Sequence, residues 1–178
     1  MRKLLFIVLI GSLAFFGCKK VKDLLRFDLS YATAFTIPGN QSIINTLLPP
    51  IFSPTVSANS EQTFKNEGTS ANLVKEIKMK KVMLTITSPS GQTFQFLKSI
   101  TVYIAKGDGS SPKRIAYKTE VPSNVGNTLT LDVDQSVLLD EYIKADQFKL
   151  KTEYTIKGTN PDVDVNADLV FNVLADPL

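Results

Sequence analysis

Apolar and polar residues alternate along much of the chain. In residues 26–37, RFDLSYATAFTI, the apolar side chains fall on one parity, and these are Phe27, Leu29, Tyr31, Phe35 and Ile37. A period of two places apolar side chains on one face of a half-buried β-strand. The same reasoning predicts further strands over residues 80–88, 100–105, 113–120, 128–133, 147–157 and 162–174. The chain is therefore predicted to be built mainly from strands.

Helical periodicity is confined to one clear segment, DQSVLLDEYIKAD, residues 134–146. Leu138, Leu139, Tyr142 and Ile143 form an i, i+4 stripe, and Asp134 is placed to cap the first turn. Shorter helical turns are predicted within residues 69–77 and 92–99. We expect these pieces to cover the sheet and not to form a helical layer.

About seven strands with short connections and one or two short helices predict an all-β fold. The expected architecture is an antiparallel two-sheet β-sandwich. An Ig-like topology is favoured by resemblance to that class alone, because the Cys…Trp…Cys core mark of true Ig domains is absent. The alternative is a curled, barrel-like sheet with a helix as plug.

Residues 41–54 combine large apolar side chains with three prolines and lack strand alternation. The apolar members are Ile43, Ile44, Leu47, Leu48, Ile51 and Phe52. One interpretation is that this segment lies across an open end of the fold and completes the core. The other is that it forms a docking surface for another protein or for lipid. We call these six residues the docking segment.

The chain begins with the short basic pair Arg2 and Lys3, followed by an apolar run over residues 4–16. This arrangement is typical of a secretory signal peptide and is shorter than the ~20 apolar residues of a membrane-spanning helix. The next residues, Leu13-Ala14-Phe15-Phe16-Gly17-Cys18, resemble a bacterial lipobox. The resemblance implies cleavage before Cys18 and acylation of that residue. The alternative is a removed signal peptide with an incidental cysteine nearby.

The lipobox resemblance also implies a division of the chain into segments and a cellular location. Residues 1–17 are expected to be the signal peptide, 18–25 a lipidated tether and 26–178 a single domain. Lys19 follows the cysteine, where an Asp would resemble an inner-membrane retention signal. We therefore expect an outer-membrane lipoprotein that faces either the periplasm or the cell surface.

Composition narrows the classes of chemistry. Cys18 is the single cysteine, and the chain has no His and no Trp, which removes nucleophilic devices that rely on a His base. Loss of Arg2 and Lys3 with the signal peptide lowers the formal charge of +3 by two. A nearly neutral domain lacks the electrostatic footprint of a nucleic-acid-binding protein. No nucleic-acid partner, cofactor or catalytic residue is predicted.

One acidic run has the spacing of a weak metal-binding motif. Asp162, Asp164, Asn166 and Asp168 offer oxygens at alternate positions, as the first ligands of a calcium loop do. The glycine and the bidentate glutamate that such a loop needs are replaced by apolar residues. In a strand, alternate side chains lie about 6.5–7 Å apart, too far to wrap one ion. A solvated strand face is the preferred interpretation, and no metal is predicted.

Three functions remain at the level of sequence. The first is a membrane-anchored, non-enzymatic interaction or accessory module at the cell envelope, with another envelope protein as partner. The second is a lipid-anchored ligand- or glycan-binding module, for which the tyrosines could supply a stacking platform: Tyr31, Tyr103, Tyr117, Tyr142 and Tyr154. Tyr117 is the one most expected to face outward. The third, least favoured, is a hydrolase that uses only carboxylates.

Overall fold

The computed structural model describes residues 24–39, 47 and 50–178. The described residues form nine strands and two short α-helices. The strands are β1 (Leu25–Ile37), β2 (Ile51–Phe52), β3 (Val56–Ser57), β4 (Val74–Ser88), β5 (Leu97–Lys106), β6 (Lys113–Lys118), β7 (Thr128–Val133), β8 (Gln147–Ile156) and β9 (Val163–Ala175). The helices are α1 (Ser60–Asn66) and α2 (Asp140–Ile143), and single 3₁₀ turns lie at Ala71–Leu73 and Phe94–Phe96. The signal peptide and Cys18 lie outside the described residues.

The strands pair in the order β1-β9-β4-β7-β6-β5-β8-β2, and β3 also pairs with β8. All pairings are antiparallel. We call β1, β9, β4 and β7 the first half of the sheet, and β6, β5, β8 and β2 the second half. The halves are joined where β6 meets β7, through the pairs Ala116↔Val133 and Tyr117↔Asp132.

The sheet is curled into a half-barrel, and the prediction of a mainly antiparallel β fold is confirmed. The curling agrees with the alternative of a barrel-like sheet. A division into two separate sheets is not confirmed, because the hydrogen-bonded pairing of β6 with β7 connects the halves. Three irregularities in the pairing of β4 with β9 bend the sheet around its interior.

The predicted strand faces are confirmed. β1 and β9 pair without interruption from Leu25↔Ala175 to Ile37↔Val163, and alternate residues of both strands face the core. Both halves contribute to that core, because Phe148 of β8 contacts Phe171 of β9 at 6.3 Å between ring centroids. Tyr31 of β1 lies edge-on to both rings, at 5.4 and 5.7 Å. The two halves therefore enclose one continuous apolar interior.

The prediction of a helix over residues 134–146 is wrong in extent. Only Asp140–Ile143 is α-helical. The Asp134 carboxylate accepts hydrogen bonds from the backbone N–H and the hydroxyl of Ser136, at 3.2 and 2.6 Å. This local turn competes with a helix start, as Asp and Ser side chains commonly do. Of the predicted apolar stripe, Leu139, Tyr142 and Ile143 are buried, whereas Leu138 is exposed.

Candidate functional site

The described members of the docking segment lie along the outer edge of β8. Leu47 pairs with Thr155, Ile51 with Thr152 and Phe52 with Lys151. Ile51 packs against the core, whereas Leu47 is 61% exposed and Phe52 is 49% exposed. Among the described residues, Ile51 therefore fits the interpretation that the segment completes the core, whereas Leu47 and Phe52 fit the interpretation that it forms a docking surface. Ile43, Ile44 and Leu48 lie outside the described residues.

Proline explains why this edge is built from short pieces. Pro54 has no N–H to donate to a ladder, so the strand that contains Phe52 cannot continue through it. Ser53 compensates: its N–H donates to the Leu150 carbonyl at 2.9 Å, and its hydroxyl accepts from the Leu150 N–H at 3.0 Å. The edge therefore offers apolar side chains to the solvent and not a long row of free backbone groups.

The second half carries a row of aromatic and cationic side chains across its outer face. The strand register aligns Phe52 with Lys151, Lys151 with Tyr103, and Tyr103 with Arg114. Residues that pair directly in a ladder project from the same face of the sheet. Tyr117 follows on the same strand as Arg114. We call Phe52, Lys151, Tyr103, Arg114 and Tyr117 the aromatic–cation row.

Contacts within the row fix the positions of the rings. The Lys151 ammonium lies 5.2 Å from the Tyr103 ring centroid, and the Arg114 guanidinium carbon lies 4.8 Å from that of Tyr117. Both distances fall in the range of cation–π attraction. Each ring beside a cation is therefore held in place by its neighbour on the sheet surface.

Each cation of the row also has a carboxylate partner. Lys151 donates to Glu153 at 2.6 Å, and Arg114 contacts Asp134 at 3.3 Å. Glu153 accepts a second hydrogen bond, from the Tyr103 hydroxyl, at 3.0 Å. The hydrogen bond from Lys151 lowers the pKa of Glu153, while burial and the bond to Glu153 raise the pKa of Tyr103. The row is thus a charge-balanced network.

The structure separates the five tyrosines. Tyr117 lies on the outer face as expected, and Tyr103 joins it there. Tyr31, Tyr142 and Tyr154 face the core or lie within it, so they form no external platform. The sequence does contain a signal for the outward position of Tyr103, because this residue alternates with the apolar residues Val102 and Ile104 that face the core. The assembly of the row depends on strand register, which the sequence analysis did not predict.

The weak metal-binding candidates lie just before β9 and in its first residues, and their side chains form hydrogen bonds within the protein. Asp162 accepts from the Gly39 N–H at 2.6 Å, and Asp164 accepts from the Thr36 hydroxyl at 2.7 Å. The Asn166 amide donates to Asp168 at 3.0 Å. Within the described part of the chain, no cluster of three or more His, Cys, Asp or Glu side chains is arranged to hold a metal ion.

Five of the described carboxyl groups have lowered pKa values. In the described residues, every resolved carboxyl pKa shift is downward, and each has a hydrogen bond as its largest cause: Asp28, Asp108, Asp134, Glu141 and Glu153. A general acid in a glycosidase uses a raised pKa. None of these five carboxyls has that property.

An open cleft of about 690 Å³ lies between α1 and the turn before β8. Its lining is polar and includes Asn59, Glu61, Lys65 and Lys144. Hydrogen-bonding groups are present, but no aromatic ring lines the cleft. The cleft therefore offers few apolar contacts to a small ligand.

Among the residues that the structure describes, no helix has the length and apolar character needed to cross a membrane. No protein-family model matches the chain, and no curated protein matches it significantly. The assignment of function therefore depends on the surface features described above.

Proposed function

We propose that this protein is a lipid-anchored, non-enzymatic interaction module at the cell envelope. The N-terminal resemblance to a lipobox supports an anchor at Cys18 and an outer-membrane location. The observation that carries the proposal is the exposure of Leu47 and Phe52, at 61% and 49%, within the docking segment. We propose another envelope protein as the partner.

The chemistry of the edge favours recognition through side chains. A partner that added a strand to the sheet would need a regular row of backbone donors and acceptors. Here β2 and β3 each have only two residues, and proline separates them. The exposed Leu47 and Phe52 side chains are instead suited to fill apolar pockets on a partner. An edge broken in this way is also protected against unwanted strand pairing.

The Ig-like two-sheet sandwich belongs to the same proposal. Its support is that the first and second halves face each other across one core, with Phe148 and Phe171 in contact between them. The connection between the halves is narrow, because β6 and β7 share two residue pairs. Two facing layers of this kind leave both outer faces, and the exposed side chains of the docking segment along β8, accessible to a partner.

Photo-crosslinking in intact cells tests the docking surface. A photoreactive amino acid replaces Leu47 in the full-length protein, and a matched variant carries it at Ala32, which is exposed on the outer face of the first half. We expect a discrete adduct with one envelope protein from position 47 and not from position 32. The same adducts from both positions, or none from position 47, would reject the docking surface.

Mass spectrometry of the protein from the same cells tests the lipid anchor. The intact mass of the detergent-extracted protein should correspond to a chain that begins at Cys18 and carries acyl groups. A Cys18→Ala variant should lack the acyl mass, because the acyl groups are attached to that residue. A free thiol at Cys18 in the wild-type protein would contradict lipidation.

A further inference from the structure

External aromatic residues are concentrated at one place on this protein. Among the described residues, Phe52, Tyr103 and Tyr117 are the aromatic side chains that lie on the outside of the sheet. The others lie in the core or pack against it: Phe27, Tyr31, Phe35, Phe64, Phe94, Phe96, Tyr142, Phe148, Tyr154 and Phe171. All three external rings belong to the aromatic–cation row.

We infer that the aromatic–cation row is a binding site for a neutral, linear oligosaccharide. The inference deepens the proposed function, on which it rests for its setting at the cell envelope. Sugar rings present C–H groups that carry partial positive charge, and aromatic rings offer them a negative face. Phe52, at the end of the row, is the most exposed of the three rings and is placed to receive such a face.

The dimensions of the row favour an extended ligand. The row crosses β2, β8, β5 and β6, which amounts to three strand spacings, or about 14 Å. Tyr117 pairs with Thr101, two residues before Tyr103, so a chain of several linked sugars that runs obliquely across the strands would contact Phe52, Tyr103 and Tyr117 in turn. Because neighbouring cations already hold the two tyrosine rings, binding would immobilise few additional side chains.

The charge balance selects a neutral ligand. Lys151 and Arg114 are each paired with a carboxylate, so the row presents no excess of positive charge to a polyanion. The ion pairs still provide hydrogen-bond donors and acceptors side by side, which suits adjacent sugar hydroxyls. Glu153 is 22% exposed and lies beside Tyr103, where it can accept a hydrogen bond from a sugar hydroxyl.

Calorimetric titration of the full-length protein in mild detergent tests the inference. The probes are cellohexaose, maltohexaose and mannohexaose, with hexagalacturonate as the anionic comparison. The variants are Tyr103→Ala and Tyr117→Ala, and the control is Met83→Ala, a partly exposed outward position on β4 of the first half. Phe52 is left unchanged because it belongs to both proposed surfaces.

We expect at least one neutral probe to bind, with an affinity that added salt leaves unchanged. Each tyrosine variant should bind about tenfold more weakly, as loss of one aromatic contact implies, and Met83→Ala should bind like the wild-type protein. Three results would overturn the inference: no neutral probe binds, either tyrosine variant retains full affinity, or hexagalacturonate alone binds and is released by salt.

Thermal unfolding of each variant separates lost binding from lost structure. If Tyr103→Ala does not fold, Tyr103→Leu carries the test, because it keeps apolar bulk and removes the ring. The crosslink from position 47 provides the second separation. A crosslink that persists without sugar binding rejects the oligosaccharide site alone, whereas sugar binding without a crosslink rejects the docking surface alone.

Discussion

The outer faces of the two halves differ although both halves enclose the same core. On the first half, the outward residues of β1, β9, β4 and β7 are small, aliphatic, polar or charged and include no aromatic ring; among them are Arg26, Asp28, Ser30, Ala32, Ala34, Thr36, Lys80, Met83, Thr85, Thr128, Thr130 and Asn166. On the second half, the outward positions hold the aromatic–cation row. The core cannot explain this difference, because outward side chains on either half do not touch it.

The comparison separates what folding requires from what the surface adds. Folding requires the inward alternation, which β9 of the first half and β8 of the second half both satisfy. An exposed cation–π pair contributes only about 0.5–1 kcal/mol, so the row is a minor source of stability. The first half shows that an outer face without aromatic rings is sufficient for a stable sheet. The row is therefore a better candidate for a functional surface than the outer face of the first half.

The largest expected effect comes from the contact that the two halves share. Phe148→Ala and Phe171→Ala should each lower the free energy of unfolding by about 3–5 kcal/mol, because each opens a cavity in the core. The rings are 6.3 Å apart, so the double variant should lose less than the sum of the single losses. Urea denaturation measures all three values. Strictly additive losses would mean that the halves have separate cores.

A smaller effect is expected at Tyr31, the inward tyrosine of the first half. Burial raises the pKa of Tyr31 from 10.0 to about 12. The folded state therefore favours the neutral ring, and this contribution to stability is complete below 10.0 and is lost as the pH rises toward about 12.

Absorbance titration and urea denaturation of Tyr31→Phe test this assignment. The tyrosinate signal of the wild-type protein should contain a late phase near pH 12 that the variant lacks. The free energy of unfolding of the variant should also fall less steeply above pH 10.0. A late phase of unchanged amplitude in Tyr31→Phe would show that this phase belongs to another buried tyrosine and not to Tyr31.

Period-two alternation was sufficient to predict most of the strands and the mainly antiparallel β class. It identified β1, β7, β8 and β9 to within a residue or two, together with the residues that face the core. The helix over residues 134–146 was overestimated, because Asp134 bonds to Ser136 and forms a turn. The start of β4 was mistaken for a helical turn. Local side-chain bonds and bulges of this kind are not visible in a hydrophobic pattern.

The candidate surfaces show a different limit. The docking segment was singled out because proline and large apolar side chains stand together there, but the sequence left open whether it completes the core or forms a docking surface. The aromatic–cation row was not predicted, because Phe52 and Tyr103 are far apart in the chain and meet only through their common partner Lys151 on β8. Strand register is a tertiary property that alternation leaves open. Cys18 and its lipidation stay a prediction.

The smallest expected effects on stability come from substituting one carboxylate residue on the outer face of each half. Glu153→Gln removes the carboxylate charge and one of the two oxygens that accept hydrogen bonds from Lys151 and Tyr103. It should cost about 1 kcal/mol at neutral pH, because both bonds are only partly exposed. Asp164→Asn weakens an exposed hydrogen bond with Thr36 and should cost no more than about 0.5 kcal/mol.

The pH dependence distinguishes the role of Glu153 from a general effect of the substitution. The pKa of Glu153 is lowered in the folded protein, chiefly by the hydrogen bond from Lys151. Its contribution to stability is therefore present above the ordinary value of 4.5 and is lost as the pH falls through the lower folded value. Urea denaturation should give a flatter acid limb for Glu153→Gln than for the wild-type protein. An unchanged acid limb would mean that the Glu153 network contributes only to the surface chemistry of the row and not to the stability of the second half.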